Sequence, residues 1–184
     1  MISGITLVGN ALNLIGADRI SSFDDDSTEA EVTKNIFETT YIAMLTETRW
    51  RFATKDKKLA RLLEKPDPVY GYNYAFALPS DYLQLNEATT NDYQIVGQNV
   101  LANTPELTVT YTFRPEVHHL PGYFIKALEY NLAANFAIPI TDDRTKLNDF
   151  SSLYSIQLKK ARFADASSNP PRAIKSSPYI TARG

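Results

Sequence analysis

The hydrophobic period of this chain changes twice. Apolar residues recur with helical spacing through the first 48 residues, with a period of two from Trp50 to Arg114, and with helical spacing again from Pro121 to about Ala166. A helix buries a stripe and a strand buries alternate residues, so neither element type can serve the whole length. Helices and strands are segregated along the chain, which predicts an α+β fold rather than a βαβ layout.

The helical stretches predict four elements. Ile5, Val8, Leu12 and Ile15 follow an amphipathic spacing, and Gly16 sits where a left-handed residue would close the helix. The acidic run from Asp24 to Glu31 places Thr28 and Glu31 as a capping box, with negative charge at the positive end of the next helix. A stripe of Val32, Ile36, Thr40, Ala43 and Met44, with Phe37, Tyr41 and Leu45 beside it, carries that helix to about Thr48. After Pro121, the stripe Phe124, Leu128, Leu132 and Phe136, flanked by Ile125 and Tyr130, runs until Pro139 breaks it. Asp142 or Thr141 then caps a fourth helix lined by Leu147, Phe150, Tyr154, Leu158 and Ala161, with Lys159, Lys160 and Arg162 toward its negative end. The expected spans are 4–16, 28–48, 122–137 and 142–165, packed as a four-helix bundle that buries Val32, Ile36, Phe124, Leu128, Leu132, Phe150 and Leu158 together.

Between the two helical blocks, proline, glycine and asparagine separate short alternating runs: WRFATK, YAFALP, DYLQLNEA, YQIVGQNVL and LTVTYTF. These predict one small antiparallel sheet inserted in the bundle, with a hairpin turning at residues 97–99. The segment KPDPVYGYNY reads as an exposed loop whose Tyr70, Tyr72 and Tyr74 are candidates for partner contact, since tyrosine suits surfaces that become interfaces. The expected organisation is a helical body at 1–49 and 119–166, a β region at 50–118, and an extended C-terminal arm at 167–184. That arm holds three prolines, four serines and no acid, a composition that cannot bury enough apolar surface to fold alone.

Composition narrows the chemistry. A net charge of -2 gives the whole molecule no basic footprint for phosphate binding. There is no cysteine, which rules out disulfides, thiolate metal sites and cysteine nucleophiles, and fits assembly in a reducing cytoplasm. The N-terminal apolar stretch lacks a basic n-region and is too interrupted to span a membrane, so it reads as a helix rather than a signal. Asp24, Asp25, Asp26, Glu29 and Glu31 lack the spaced ligands and glycine of a calcium loop, and capping accounts for them. His118 and His119, the only histidines, read as a loop pair pointing apart in an extended segment. No nucleophile elbow, glycine-rich phosphate loop or zinc motif occurs. Glu87, Asp92 and Glu106 lie near strands or turns, as carboxylates of a glycosidase would, but any globular protein offers as many. In WRFATKDKKLAR, Trp50 and Phe52 with Lys55, Lys57, Lys58 and Arg61 suggest a nucleic-acid strip, although core aromatics beside a solvated turn explain them more simply. No catalytic residue, cofactor or metal is expected.

Three stretches carry a family resemblance. One runs from Ala11 to Phe52: an opening helix ending in IG, an acidic capped turn, a long helix, then a tryptophan entering the β region. LPSDYLQL is the second, and LPGYFIKALEYNLAANF through KKARFADA the third. In order and spacing they resemble the tail tubular protein A family, the head-to-tail adaptors of short-tailed phages, over most of residues 5–166. The resemblance implies a non-enzymatic virion protein at the head-tail junction, assembled in the host cytoplasm. It further implies a homo-oligomeric ring of about twelve copies under the portal. Such a ring would extend the DNA channel without reading sequence, and would offer a platform to the next tail or nozzle protein. Related adaptors have a C-terminal segment that docks on the portal. Here that role would fall to Arg172, Lys175 and Arg183 for acidic groups, and to Ile174, Tyr179 and Ile180 for apolar pockets. A virion-associated peptidoglycan hydrolase and a cellular α+β binding module are the alternative readings.

Overall fold

The computed structural model describes residues 2–168. Its helices are α1 (Gly4–Leu14), α2 (Thr28–Glu47), α3 (Gly122–Thr141) and α4 (Arg144–Ser167). Its strands are β1 (Thr54–Lys58), β2 (Ala60–Arg61), β3 (Tyr74–Ala77), β4 (Tyr82–Ala88), β5 (Tyr93–Val96), β6 (Asn99–Ala102) and β7 (Thr108–Phe113). All pair antiparallel, in two sheets ordered β1-β7-β4 and β2-β3-β6-β5.

This corrects the expected four-helix bundle with a small inserted sheet: over the described residues the chain is α+β with four helices and seven strands in two antiparallel sheets. The β region has its own core, in which Phe76, Val100 and Ala102 of one sheet meet Val109 and Tyr111 of the other around Leu59 and Leu107. The chain switches sheets at buried Leu59, whose N–H donates to the Leu107 carbonyl at 2.8 Å between β1 and β2. Alternation along a strand identifies its buried face and says nothing about which strand lies beside it. Several alternating runs are therefore as compatible with two facing sheets as with one.

α3 is the central helix, and α1, α2 and α4 all pack on it. Their shared core holds Leu7, Leu12, Tyr41, Leu45, Phe124, Leu128, Leu132 and Phe136. Of the residues expected to be buried together, Phe124, Leu128, Leu132 and Leu158 are buried, whereas Val32, Ile36 and Phe150 are only half-buried. α2 is turned so that Phe37, Tyr41, Met44 and Leu45 face inward. Thr33 and Thr40 share that face, and Thr33 satisfies its buried hydroxyl by donating to the Glu29 carbonyl at 2.6 Å.

Three helix ends also differ from expectation. Ser27, not Thr28, caps α2, its Oγ accepting from the Ala30 N–H at 3.1 Å, which leaves Glu31 out of a capping box. α3 continues through Pro139 to Thr141. Proline removes one intrahelical bond, but here only one turn remains, and it is closed by Thr141 Oγ1 to the Ala137 carbonyl at 2.7 Å and by the Asp142 N–H to the Ile138 carbonyl at 3.0 Å. Asp142 then takes a left-handed conformation (φ 48°) and Asp143 caps α4 by accepting from Thr145 and Lys146. The first alternating run is also not all strand, because Arg51–Ala53 form a 3-10 turn before β1.

Trp50 anchors the junction of helices and sheets. It is fully buried, donates its indole N–H to the Met44 carbonyl at 2.7 Å, and meets Phe124 edge to face at 5.1 Å. Tyr41 donates to the Pro115 carbonyl at 2.7 Å, and Arg114 grips Glu38 with two bonds of 2.9 and 2.8 Å. Leu83 of β4 and Phe52 pack against the helical core, so the sheet β1-β7-β4 is the one that joins the helices.

Candidate interaction surfaces

The loop at residues 62–73 hangs on the other sheet, between β2 and β3. Asp67 accepts from the Val69 N–H at 2.9 Å and starts a 3-10 turn, Pro68–Tyr70, which ends on Gly71 in the left-handed region (φ 72°). That turn pushes Val69 into solvent, 80% exposed, and leaves Leu63 and Tyr70 exposed as well. Beneath the loop lies a cavity of about 160 Å³, lined on the sheet side by Ala75, Val96 and Leu101 and on the loop side by Leu62, Pro66 and Tyr70.

The three candidate tyrosines do not act as one patch. Tyr70 stands out from the turn, Tyr72 is half-buried, and Tyr74 is the first residue of β3, half-buried with Arg61 over its ring at 5.4 Å. The loop therefore presents Leu63, Val69 and Tyr70, of which the sequence reading singled out only the tyrosine. Period two and helical period both fail in a loop, so nothing in the pattern marked Leu63 or Val69 as exposed. The other candidate contact residues, Arg172, Ile174, Lys175, Tyr179, Ile180 and Arg183, lie outside the described residues.

Several charged groups elsewhere are tied into the fold. Asp25 accepts from the Ser21 and Ser22 N–H groups at 2.8 and 3.0 Å, and those backbone bonds hold its carboxyl below the usual range. Asp24 pairs with Lys34 at 2.9 Å. His118 and His119 do not point apart: a 3-10 turn, Val117–His119, brings their rings to 3.9 Å, and His118 Nδ1 lies 3.3 Å from Glu116. Among the described residues no group of three or more His, Cys, Asp or Glu is placed to hold a metal ion. The three carboxylates weighed for hydrolysis have separate partners: Glu87 pairs with Arg49, Asp92 accepts from Asn103 at 3.2 Å, and Glu106 pairs with Lys58 at 2.7 Å. Burial of Trp50 removes the stacking platform from the proposed nucleic-acid strip. Lys55 is likewise committed, to Asp81 at 3.0 Å and to the Phe113 ring at 3.6 Å.

Among the described residues, two buried carboxylates join elements. Asp165, 4% exposed, accepts from the Tyr123 hydroxyl at 2.8 Å and the Arg51 N–H at 2.9 Å, tying α4 to α3 and to the root of the β region. Burial, reinforced by that carboxylate, pushes the Tyr123 hydroxyl well above the ordinary tyrosine range. Glu129 accepts from Asn10 at 2.7 Å and Lys126 at 3.1 Å, linking α3 to α1.

A last surface was missed altogether. On α4, Leu153, Ile156 and Phe163 are exposed at spacings that share one helix face. The signal was present in the sequence, but the inner stripe of the same helix accounted for its amphipathicity and the second stripe went unread. No helix among the described residues is long and apolar enough to cross a membrane. Comparison of the chain with protein-family models and with curated proteins finds no match.

Proposed function

We propose that this chain is a structural subunit of a phage virion, a head-to-tail adaptor that assembles as a ring beneath the portal, extends the DNA channel and carries the next tail component. The observation that carries the reading is element order. The stretches bearing the resemblance to the tail tubular protein A family fall on α1, the acidic turn, α2 and Trp50, then on β4, then on α3 and α4. Support also comes from the exposed apolar side chains on a sheet loop and on the outer face of a helix, two surfaces suited to contacts. In this reading the segment after Ser168 reaches the portal. Its sixteen residues, fully extended, span roughly 50 Å. Ordering it would offset part of the contact energy, so a lone subunit stays monomeric and a portal ring templates assembly by raising effective concentration.

The test is to co-express the chain with the portal protein of the same genome and image the purified complex by electron microscopy. Adaptor rings seated on one end of the portal are expected, with the isolated chain sedimenting as a monomer. A portal that stays bare in excess chain would overturn the reading.

A further inference from the structure

The longest helix carries apolar side chains on both sides. Leu158, Ala161 and Asp165 of α4 are buried, with Leu147, Phe150 and Tyr154 half-buried on the same face against the core. Leu153, Ile156 and Phe163 project about 150° around the helix from that face. They are 41%, 52% and 76% exposed. Single exposed apolar residues are ordinary, but three on one unpartnered face mark a contact surface. Lys159 and Lys160 border the stripe and have no ion pair among the described residues, while Asp149 is the one acid on that face, at its far end.

The chemistry of the stripe selects its occupant. The chain's own C-terminal segment follows α4 in sequence and has apolar residues, but its charges are Arg172, Lys175 and Arg183 with no acid, so beside Lys159 and Lys160 it would meet like charge. The connector between α1 and α2 has the opposite character. Asp18 and Asp26 on it, and Glu29 and Glu31 in the first turn of α2, carry no ion pair among the described residues; the cations nearby are Arg19, the Asp24-paired Lys34 and Lys146, whose ammonium donates to the Ile15 carbonyl at 2.7 Å. Half-buried Ile20 and Phe23 lie on that connector, Phe23 resting on Phe37 of α2 at 5.8 Å between ring centres.

We infer that the outer stripe of α4 docks on the acidic α1–α2 connector of a second copy of this chain. An apolar stripe with a basic border then meets an acidic surface on which Ile20 and Phe23, packed against the helical core, stay partly exposed, and the charges fix the register. The two patches are different surfaces of one molecule, so each contact leaves one of each kind open. Such heterologous contacts add copies head to tail, closing into a ring when the rotation allows it. Ring closure rests on the adaptor reading; the pairwise contact does not.

Absence of native cysteine makes the contact directly readable by disulfide trapping. Four samples are oxidised at the highest soluble concentration: Phe163→Cys alone, Asp26→Cys alone, their mixture, and the double variant. The single variants are expected to stay monomeric, the mixture to yield heterodimers only, and the double variant to give a ladder of linked multimers. Adding Lys159→Glu and Lys160→Glu to the double variant is expected to abolish the ladder, with helicity by circular dichroism unchanged. The inference is overturned if Phe163→Cys links to itself as readily as to Asp26→Cys, if no ladder forms, or if the ladder survives charge reversal. Because no portal is present, failure here leaves the adaptor reading to be judged by its own experiment.

Discussion

At the scale of single residues, the account depends on side chains that hold elements together. Leu128 is fully buried in the helical core, so Leu128→Ala removes buried methyl groups and leaves a cavity, a loss of roughly 2 to 5 kcal/mol in urea unfolding. Measured destabilisation below about 1 kcal/mol would contradict its place in the core. Asp81 tests the β region. Partial burial works against its charge, but bonds from Lys55 and Tyr111 outweigh burial and hold its carboxyl below the usual range. A depressed folded-state pKa contributes stability that is present above the ordinary carboxylate range and is lost as pH falls through the lowered value. Asp81→Asn should therefore flatten the acid limb of melting temperature against pH. For Tyr111 the sign is reversed: burial and the Asp81 carboxylate push its hydroxyl up to about 12. Its contribution is complete below the ordinary tyrosine value of about 10 and disappears as pH rises through the folded one. Tyrosinate absorbance should report ionisation of Tyr111 together with alkaline unfolding rather than before it.

Among the elements, the β region behaves as a second small core attached at Trp50 and Arg114. Phe76 is buried between the sheets, and Phe76→Ala should cost roughly 3 to 5 kcal/mol. Hydrogen exchange should then show amides of residues 74–77 and 99–102 opening first while those of α3 stay protected. Simultaneous opening of both would mean that the two cores are one cooperative unit. Val69→Asp, by contrast, changes an exposed loop tip and should leave melting within about 0.5 kcal/mol of the parent. Much at this scale was legible in the sequence. Four helices and a strand-rich middle followed from period together with proline, glycine and capping residues, and Gly97 turns the expected hairpin with φ 60°. What escaped were decisions made between elements and at their ends: which strands share a sheet, which face of α2 turns inward, and whether α3 runs on beyond Pro139. The candidate surface was half legible, since Tyr70 was singled out by composition while Val69, Leu63 and Phe163 needed the turn and the helix packing to show that they face water.

For the molecule as a whole, the central claim is that it works by holding partners rather than by chemistry. Weak, sequence-independent association with DNA is expected of a subunit of a passage sleeve with net charge -2, and nanomolar binding of duplex DNA by the monomer at physiological salt would contradict it. The most direct measurement is co-sedimentation with the portal protein of the same genome, comparing the full chain with one ending at Ala166. The full chain should travel with the portal as a complete ring, and the shortened chain should keep its helicity and melting behaviour while remaining at the top of the gradient. If the full chain fails to move with the portal, the adaptor account is wrong. If the shortened chain moves with it as completely as the full chain does, the C-terminal segment is not the clasp, and the loop at 62–73 or the helices must form that contact.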